Sequence, residues 1–74
     1  MKEYEIVATF LNGCAGEAYP QTAFEEAELA DTDDYIRAKH GKDFEKFHKE
    51  IHSNGQIVYT YTCGVTYIYE FTEL

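Results

Sequence analysis

The sequence predicts a small α+β domain: an antiparallel sheet with helix packed on one face. Three stretches indicate this class. Residues 3 to 11 alternate as a strand does, residues 31 to 34 have the composition of a helix start, and residues 56 to 74 are rich in β-branched and aromatic side chains. A chain of 74 residues is expected to form one domain, residues 1 to 74, with a small core.

The first strand is predicted over residues 3 to 11. Tyr4, Ile6, Ala8 and Phe10 share one face, so that face is expected to pack on the core. The Asn12-Gly13 pair then favours a turn that ends the strand.

Residues 21 to 30 allow two interpretations. With a period of two they form an edge strand with an acidic outer face, which would pair with the first strand as an N-terminal hairpin. With a period of 3.6, Ala23, Ala27 and Ala30 form a stripe, and the Ala, Glu and Leu content favours helix. We favour the strand; the alternative is a β-α-α-β-β order in which residues 21 to 30 are helical.

One kinked helix or two short helices are predicted at about residues 31 to 53. Asp31 or Thr32 can cap the helix start, where further acids complement the helix dipole. Gly41 is expected to stop or kink the helix, and Asp43 to cap a second one.

An apolar stripe on the second part of this helix includes Phe44, Phe47 and Ile51, and we expect Phe47 and Ile51 to anchor it to the sheet.

Residues 56 to 74 predict a C-terminal hairpin with its turn at Cys63-Gly64. A two-residue loop would place Thr62 opposite Val65 and would turn Tyr59 and Tyr61 toward the face that the helix leaves uncovered. Because tyrosine combines an apolar ring with a hydrated hydroxyl, both become candidate partner contacts. The alternative explanation is that they are ordinary surface residues of a β-rich sheet.

The net charge of −8 is concentrated between residues 17 and 34, where seven acidic residues occur without a Lys or Arg. This pattern disfavours direct binding to nucleic acid and favours a protein partner with a basic surface. A solvated acidic segment that serves only solubility is the alternative. The candidate partner-binding acids are Glu25, Glu26, Glu28, Asp31, Asp33 and Asp34.

His48 and His52 lie four residues apart on the predicted helix, a spacing that zinc ligands use. Lys49, however, stands where the zinc-protease helix carries its Glu, and both histidines fall at the margin of the apolar stripe. We therefore expect neither a metal nor a cofactor. His40, Glu45 or Cys63 could in principle supply a third ligand.

Other chemistry is poorly represented. Ser53, the only serine, lies at a predicted turn without a nucleophile elbow, so we expect no enzyme activity. Cys14 and Cys63 are expected to be reduced and structural. The acidic N-terminus and the lack of a long apolar run predict a cytoplasmic chain that does not bind membranes.

The sequence thus favours a non-enzymatic protein-interaction module that docks on a basic partner through residues 17 to 34. In its sharper form, this module inhibits the partner by imitating a nucleic acid. One alternative is a homo-oligomer, for example a homodimer, that assembles through the Tyr-rich C-terminal hairpin or the open edge of residues 65 to 73. The second alternative is metal binding through His48 and His52.

Overall fold

A five-stranded antiparallel sheet with one helix packed on it forms the fold in the computed structural model, which describes residues 1–12 and 21–74. The predicted α+β class is confirmed. The elements are β1 (Lys2–Asn12), β2 (Gln21–Leu29), α1 (Thr32–His40) with a 3-10 turn at Gly41–Lys46, β3 (His48–Ile51), β4 (Ile57–Thr62) and β5 (Val65–Glu73). The turn predicted after Asn12 lies outside the described residues.

The strand interpretation of residues 21 to 30 is confirmed, and the helical alternative is wrong. β2 pairs with β1 along its whole length, with Ile6 opposite Glu25 and Ala8 opposite Ala23. Period-two alternation prevails because the ladder with β1 satisfies the backbone while the small side chains of β2 turn toward the helix side of the sheet.

The strand order is β2-β1-β5-β4-β3, which makes β5 the central strand. β5 pairs with β1 on one side, where Phe71 lies opposite Ile6, and with β4 on the other, where Tyr69 lies opposite Tyr59. The open edge predicted for residues 65 to 73 is therefore wrong. Both backbone edges of β5 are used inside the chain.

The helix α1 covers one face of the sheet, which we call the covered face; the opposite side is the open face. The core lies between α1 and the covered face, and Ile36 of α1 is fully buried in it. Its other buried apolar and aromatic residues are Tyr4, Ile6, Ala8, Tyr59, Tyr69 and Phe71.

The helix start agrees with prediction. The Asp31 side chain accepts a hydrogen bond from the backbone N–H of Asp33 at 3.0 Å, so Asp31 is the N-cap. The helix ends at Gly41, whose φ of 58° lies in the left-handed region that favours glycine.

The prediction of helix as far as residue 53 is wrong, because residues 48 to 51 form the edge strand β3. His48 pairs with Thr60 and Ile51 with Ile57. The ladder to β4 satisfies more backbone groups than one further helical turn could. Phe47 does pack on the core, but Ile51 is 69% exposed and anchors nothing.

The predicted register of the C-terminal hairpin is also wrong, by one residue. Thr62 lies opposite Thr66 rather than Val65. A slip of one residue moves every side chain of a strand to the other face. Tyr59 and Tyr61 therefore lie on the covered face, and Tyr59 is only 1% exposed.

The buried hydroxyl of Tyr59 joins β4 to the start of α1. It donates to Asp33 Oδ1 and lies 2.8 Å from Thr32 Oγ1, while Lys49 Nζ donates to the same Asp33 oxygen at 3.1 Å. Burial raises the pKa of Tyr59, and the hydrogen bond to Asp33 raises it further. Burial would also raise the pKa of Asp33, but the bonds from Tyr59 and Lys49 outweigh this effect and hold it below its usual value.

We expect Tyr59→Phe to lower the free energy of unfolding by about 1–3 kcal/mol, because Thr32 and Asp33 lose a partner in a largely buried setting. Urea unfolding followed by circular dichroism measures this change. Tyr67→Phe is the matched control, since Tyr67 is half-buried on the same face and its hydroxyl is in none of the hydrogen bonds found among residues 1–12 and 21–74. Equal stability of the two variants would contradict the assigned role of the Tyr59 hydroxyl.

Asp33→Asn should destabilise the fold at neutral pH, and the deficit should shrink in acid. Because the folded pKa of Asp33 is lowered, its ionised form contributes stability above the unfolded pKa of about 3.9. That contribution is lost as the pH falls through the folded pKa. Urea titrations of both proteins from pH 7 to pH 2 test this expectation, and a deficit that stays constant over the range would contradict it.

Candidate docking surface

The acids of residues 17 to 34, predicted to form one docking segment, lie in different parts of the fold. Three of its acids are engaged at the start of α1: Asp31 as the N-cap, Asp33 with Tyr59, and Asp34 in an ion pair with Arg37 at 3.2 Å. These three carboxylates already have partners inside the chain. Glu17 lies outside the described residues.

The acids of β2 lie on both faces of the sheet. Glu25 is on the covered face and accepts a hydrogen bond from the Tyr35 hydroxyl of α1 at 2.7 Å. Burial, followed by this bond, raises the pKa of Tyr35. Glu26 and Glu28 alternate onto the open face and are exposed.

Strand β1 adds two acids that the sequence-based prediction missed. Glu3 lies directly opposite Glu28, and Glu5 lies directly opposite Glu26. Glu3, Glu5, Glu26 and Glu28 therefore form one exposed group on the open face, which we call the acidic patch. The alternation of the first strand already places Glu3 and Glu5 on one face. Only the register of the hairpin, however, shows that they lie opposite Glu28 and Glu26.

The acidic patch is not neutralised within the described chain. The ion pairs of residues 1–12 and 21–74 include none of its four carboxylates, and even neighbouring Lys2 pairs instead with Glu73 at 3.6 Å. Residues 13 to 20 contain no Lys, Arg or His. Like charges directly opposite each other destabilise a sheet. The folded domain therefore contains a repulsion between carboxylates that a cation from outside can relieve.

An exposed aromatic ring borders the acidic patch. Phe24 lies opposite Val7 on the open face and is 73% exposed. Further across the same face, Ile68 of β5 and Val58 of β4 are half-buried. An exposed aromatic ring can serve as the anchor of a protein interface, so Phe24 joins the acidic patch as a candidate contact.

The two tyrosines predicted as partner contacts do not join this surface. Tyr59 is buried under α1, and the ring of Tyr61 packs 5.1 Å from that of Phe47 on the covered face. The two surfaces expected for assembly through the C-terminal hairpin are not available as predicted. The tyrosine rings face inward, and β5 is paired on both sides.

The two histidines of the metal hypothesis flank a carboxylate on the edge strand instead of meeting on a helix. His48 Nε2 lies 3.4 Å from one Glu50 oxygen, and His52 Nε2 lies 3.6 Å from the other. Because residues 48 to 51 form a strand, the helical spacing on which the metal hypothesis depended is absent. Among residues 1–12 and 21–74, no group of three His, Cys, Asp or Glu side chains is placed to hold a metal ion.

His40, a possible third ligand, is part of the core margin. Its Nε2 lies 2.6 Å from the Tyr69 hydroxyl, and its ring packs 4.8 Å from that of Phe47. Burial lowers its pKa, which favours the neutral imidazole. Cys63 is a free thiol but is exposed rather than buried as expected; Cys14 lies outside the described residues.

No family model, curated protein or solved structure matches this chain. No helix in the described ranges is both long and apolar enough to cross a membrane. The candidate site is the acidic patch with Phe24, because its carboxylates face each other without a basic partner among the described residues and its ring is exposed.

We expect Glu5→Gln and Glu26→Gln each to stabilise the protein by a few tenths of a kcal/mol, up to about 1 kcal/mol, because each removes one cross-strand repulsion. The gain should shrink in high salt, which screens exposed charges. Urea unfolding in low and high salt measures both effects. Glu45→Gln, an equal charge change at an exposed position of the 3-10 turn, is the control. A loss of stability in both patch variants would refute the assigned repulsion.

Proposed function

We propose that this chain is a non-enzymatic protein-interaction domain whose acidic patch docks on a basic surface of a partner protein. One observation carries the proposal: four exposed carboxylates face each other across β1 and β2 without a basic partner, beside an exposed phenylalanine. The proposed surface therefore differs from the continuous segment of residues 17 to 34, because it includes Glu3 and Glu5 and omits the acids engaged by α1.

The energetics of the patch favour a cationic partner. Lys or Arg side chains placed over the patch would be attracted to its carboxylates. Binding would thereby relieve the repulsion between carboxylates that destabilises the free domain. The long-range negative potential would also speed encounter with a basic surface. Phe24 would supply the apolar contact that charge alone does not provide.

A basic partner that normally holds nucleic acid fits this proposal in its sharper form. The carboxylates would then occupy sites that the partner uses for phosphates, and the domain would act as an inhibitor. Competition between this chain and a nucleic acid for the same partner would distinguish inhibition from simple docking.

The test is a charge reversal on the patch. We expect Glu5→Lys/Glu26→Lys to reduce capture of partner protein from a lysate of the source cells at least tenfold, because two attractive contacts become repulsive. Capture by the unchanged protein should also fall as salt rises. Quantitative mass spectrometry of the captured proteins measures both.

Asp43→Lys/Glu45→Lys is the matched control, since it makes the same change in net charge on the 3-10 turn. Circular dichroism must show that both variants are folded. If the two variants capture the same proteins in equal amounts, the acidic patch is not the docking surface and the proposal is wrong.

A further inference from the structure

The outer edge of β2 is a strand edge without a described partner. The sheet ends at β2 on one side and at β3 on the other. β3 is four residues long and carries charged side chains, a common way to protect an edge. β2 is nine residues long and pairs with β1 without a break in register, so it offers a longer template for a further strand.

The register shows which backbone groups of β2 point outward. The N–H of Leu74 donates to the C=O of Glu3 at 2.9 Å, so the odd-numbered residues of β1 direct their backbone groups toward β5. The even-numbered residues of β1 therefore bond to β2, where their partners are Gln21, Ala23, Glu25, Ala27 and Leu29. The remaining residues of β2 direct their N–H and C=O groups away from the sheet: Thr22, Phe24, Glu26 and Glu28.

The two sides of this edge differ chemically. On the open side lie Phe24 and the acidic patch. On the covered side, a cavity of about 170 Å³ opens between β2 and α1. Ile6 and Ala8 form part of its apolar lining, and Tyr35 and Lys39 line it from α1. An apolar cavity of about 150 Å³ can hold a benzene molecule, so this one can accept an aliphatic or aromatic side chain.

We propose that the basic partner supplies an extended segment that pairs with the outer edge of β2 as a sixth strand. The proposal rests on the proposed function and specifies how the partner is recognised. Neighbouring residues of an added strand point to opposite faces. The segment would therefore place basic side chains beside the acidic patch and one apolar side chain in the cavity.

The negative charge of β2 favours a basic segment over a second copy of this chain as the added strand. β2 contains three acids and no base, so pairing two copies of β2 would bring six carboxylates together. The strand thus opposes self-association while remaining open to a basic segment. The cavity is lined by one cation, Lys39, and by one carboxylate, Glu25, which already accepts the hydrogen bond from Tyr35. Its other lining is mainly apolar, so an apolar side chain of the segment fits there best.

The probe is a capped peptide with the sequence Lys-Thr-Lys-Leu-Lys-Thr-Lys, titrated into the isotope-labelled full chain and followed by nuclear magnetic resonance. We expect the amide signals of Thr22, Phe24 and Glu26 to shift more than those of Ala23 and Glu25. The leucine should also shift the methyl signals of Ile6 and Ala8. Replacing that leucine with threonine should weaken binding several-fold.

Backbone pairing is tested separately with Thr22→Pro, which removes one outward N–H without removing a bond to β1. We expect at least tenfold weaker peptide binding, whereas the matched variant Thr22→Ala should bind within twofold of the unchanged protein. If Thr22→Pro does not fold, a peptide N-methylated at alternate residues serves instead, and it should fail to bind the unchanged protein.

The outcomes separate the two proposals. If Thr22→Pro or the N-methylated peptide binds normally, strand addition is wrong while charge-directed docking stands. If Glu5→Lys/Glu26→Lys binds the peptide normally but Thr22→Pro does not, the edge pairs with peptides without help from the patch and the proposed function is wrong. A lack of binding at millimolar peptide in low salt overturns strand addition, and the capture experiment with Glu5→Lys/Glu26→Lys then decides the proposed function by itself.

Discussion

The hydroxyl of Tyr59 is the interaction on which the arrangement of this domain depends. It connects the first turn of α1 to β4 through Thr32 and Asp33, and the latter also holds Lys49 of β3. These contacts hold the first turn of α1 against β4, and the Tyr35 hydroxyl reaches β2 at Glu25. The cavity lies where α1 faces β1 and β2, between Tyr35, Lys39, Ala8 and Ala23.

The same network explains why the acidic segment does not act as a block. Burying a carboxylate is costly unless donors meet it, and Asp33 meets two. Asp31 and Asp34 are engaged by the helix backbone and by Arg37. On the hairpin of β1 and β2, by contrast, the register brings acids distant in sequence into one exposed patch.

Local patterns were sufficient to predict several elements. The alternation of residues 3 to 11, the Asp31 cap and the stop at Gly41 each arise from neighbouring residues, and each appears in the structure. The strand state of residues 21 to 29 was predicted because a hairpin partner was already in place.

Non-local pairing decided the elements that were predicted wrongly. Residues 48 to 51 have a helix-compatible pattern, yet the free edge of β4 recruits them as a strand. The hairpin loop differs from the expected one by a single residue, which reverses the faces of Tyr59 and Tyr61. The acidic patch was missed for the same reason, because Glu3 and Glu5 meet Glu26 and Glu28 only through the register.

The central position of β5 also has a consequence for the order in which the domain forms during synthesis. The hairpin of β1 and β2 and the hairpin of β3 and β4 do not pair with each other; each joins the sheet only through β5. Residues 65 to 73 leave the ribosome after all the other strands. Until then the two hairpins remain separate, and each is too small to be stable alone. Folding is then a late closure around the last strand, with many contacts between residues distant in sequence, and such topologies fold slowly. Until that closure, the edges that β5 later fills are exposed, and this interval is when the chain is most vulnerable to aggregation.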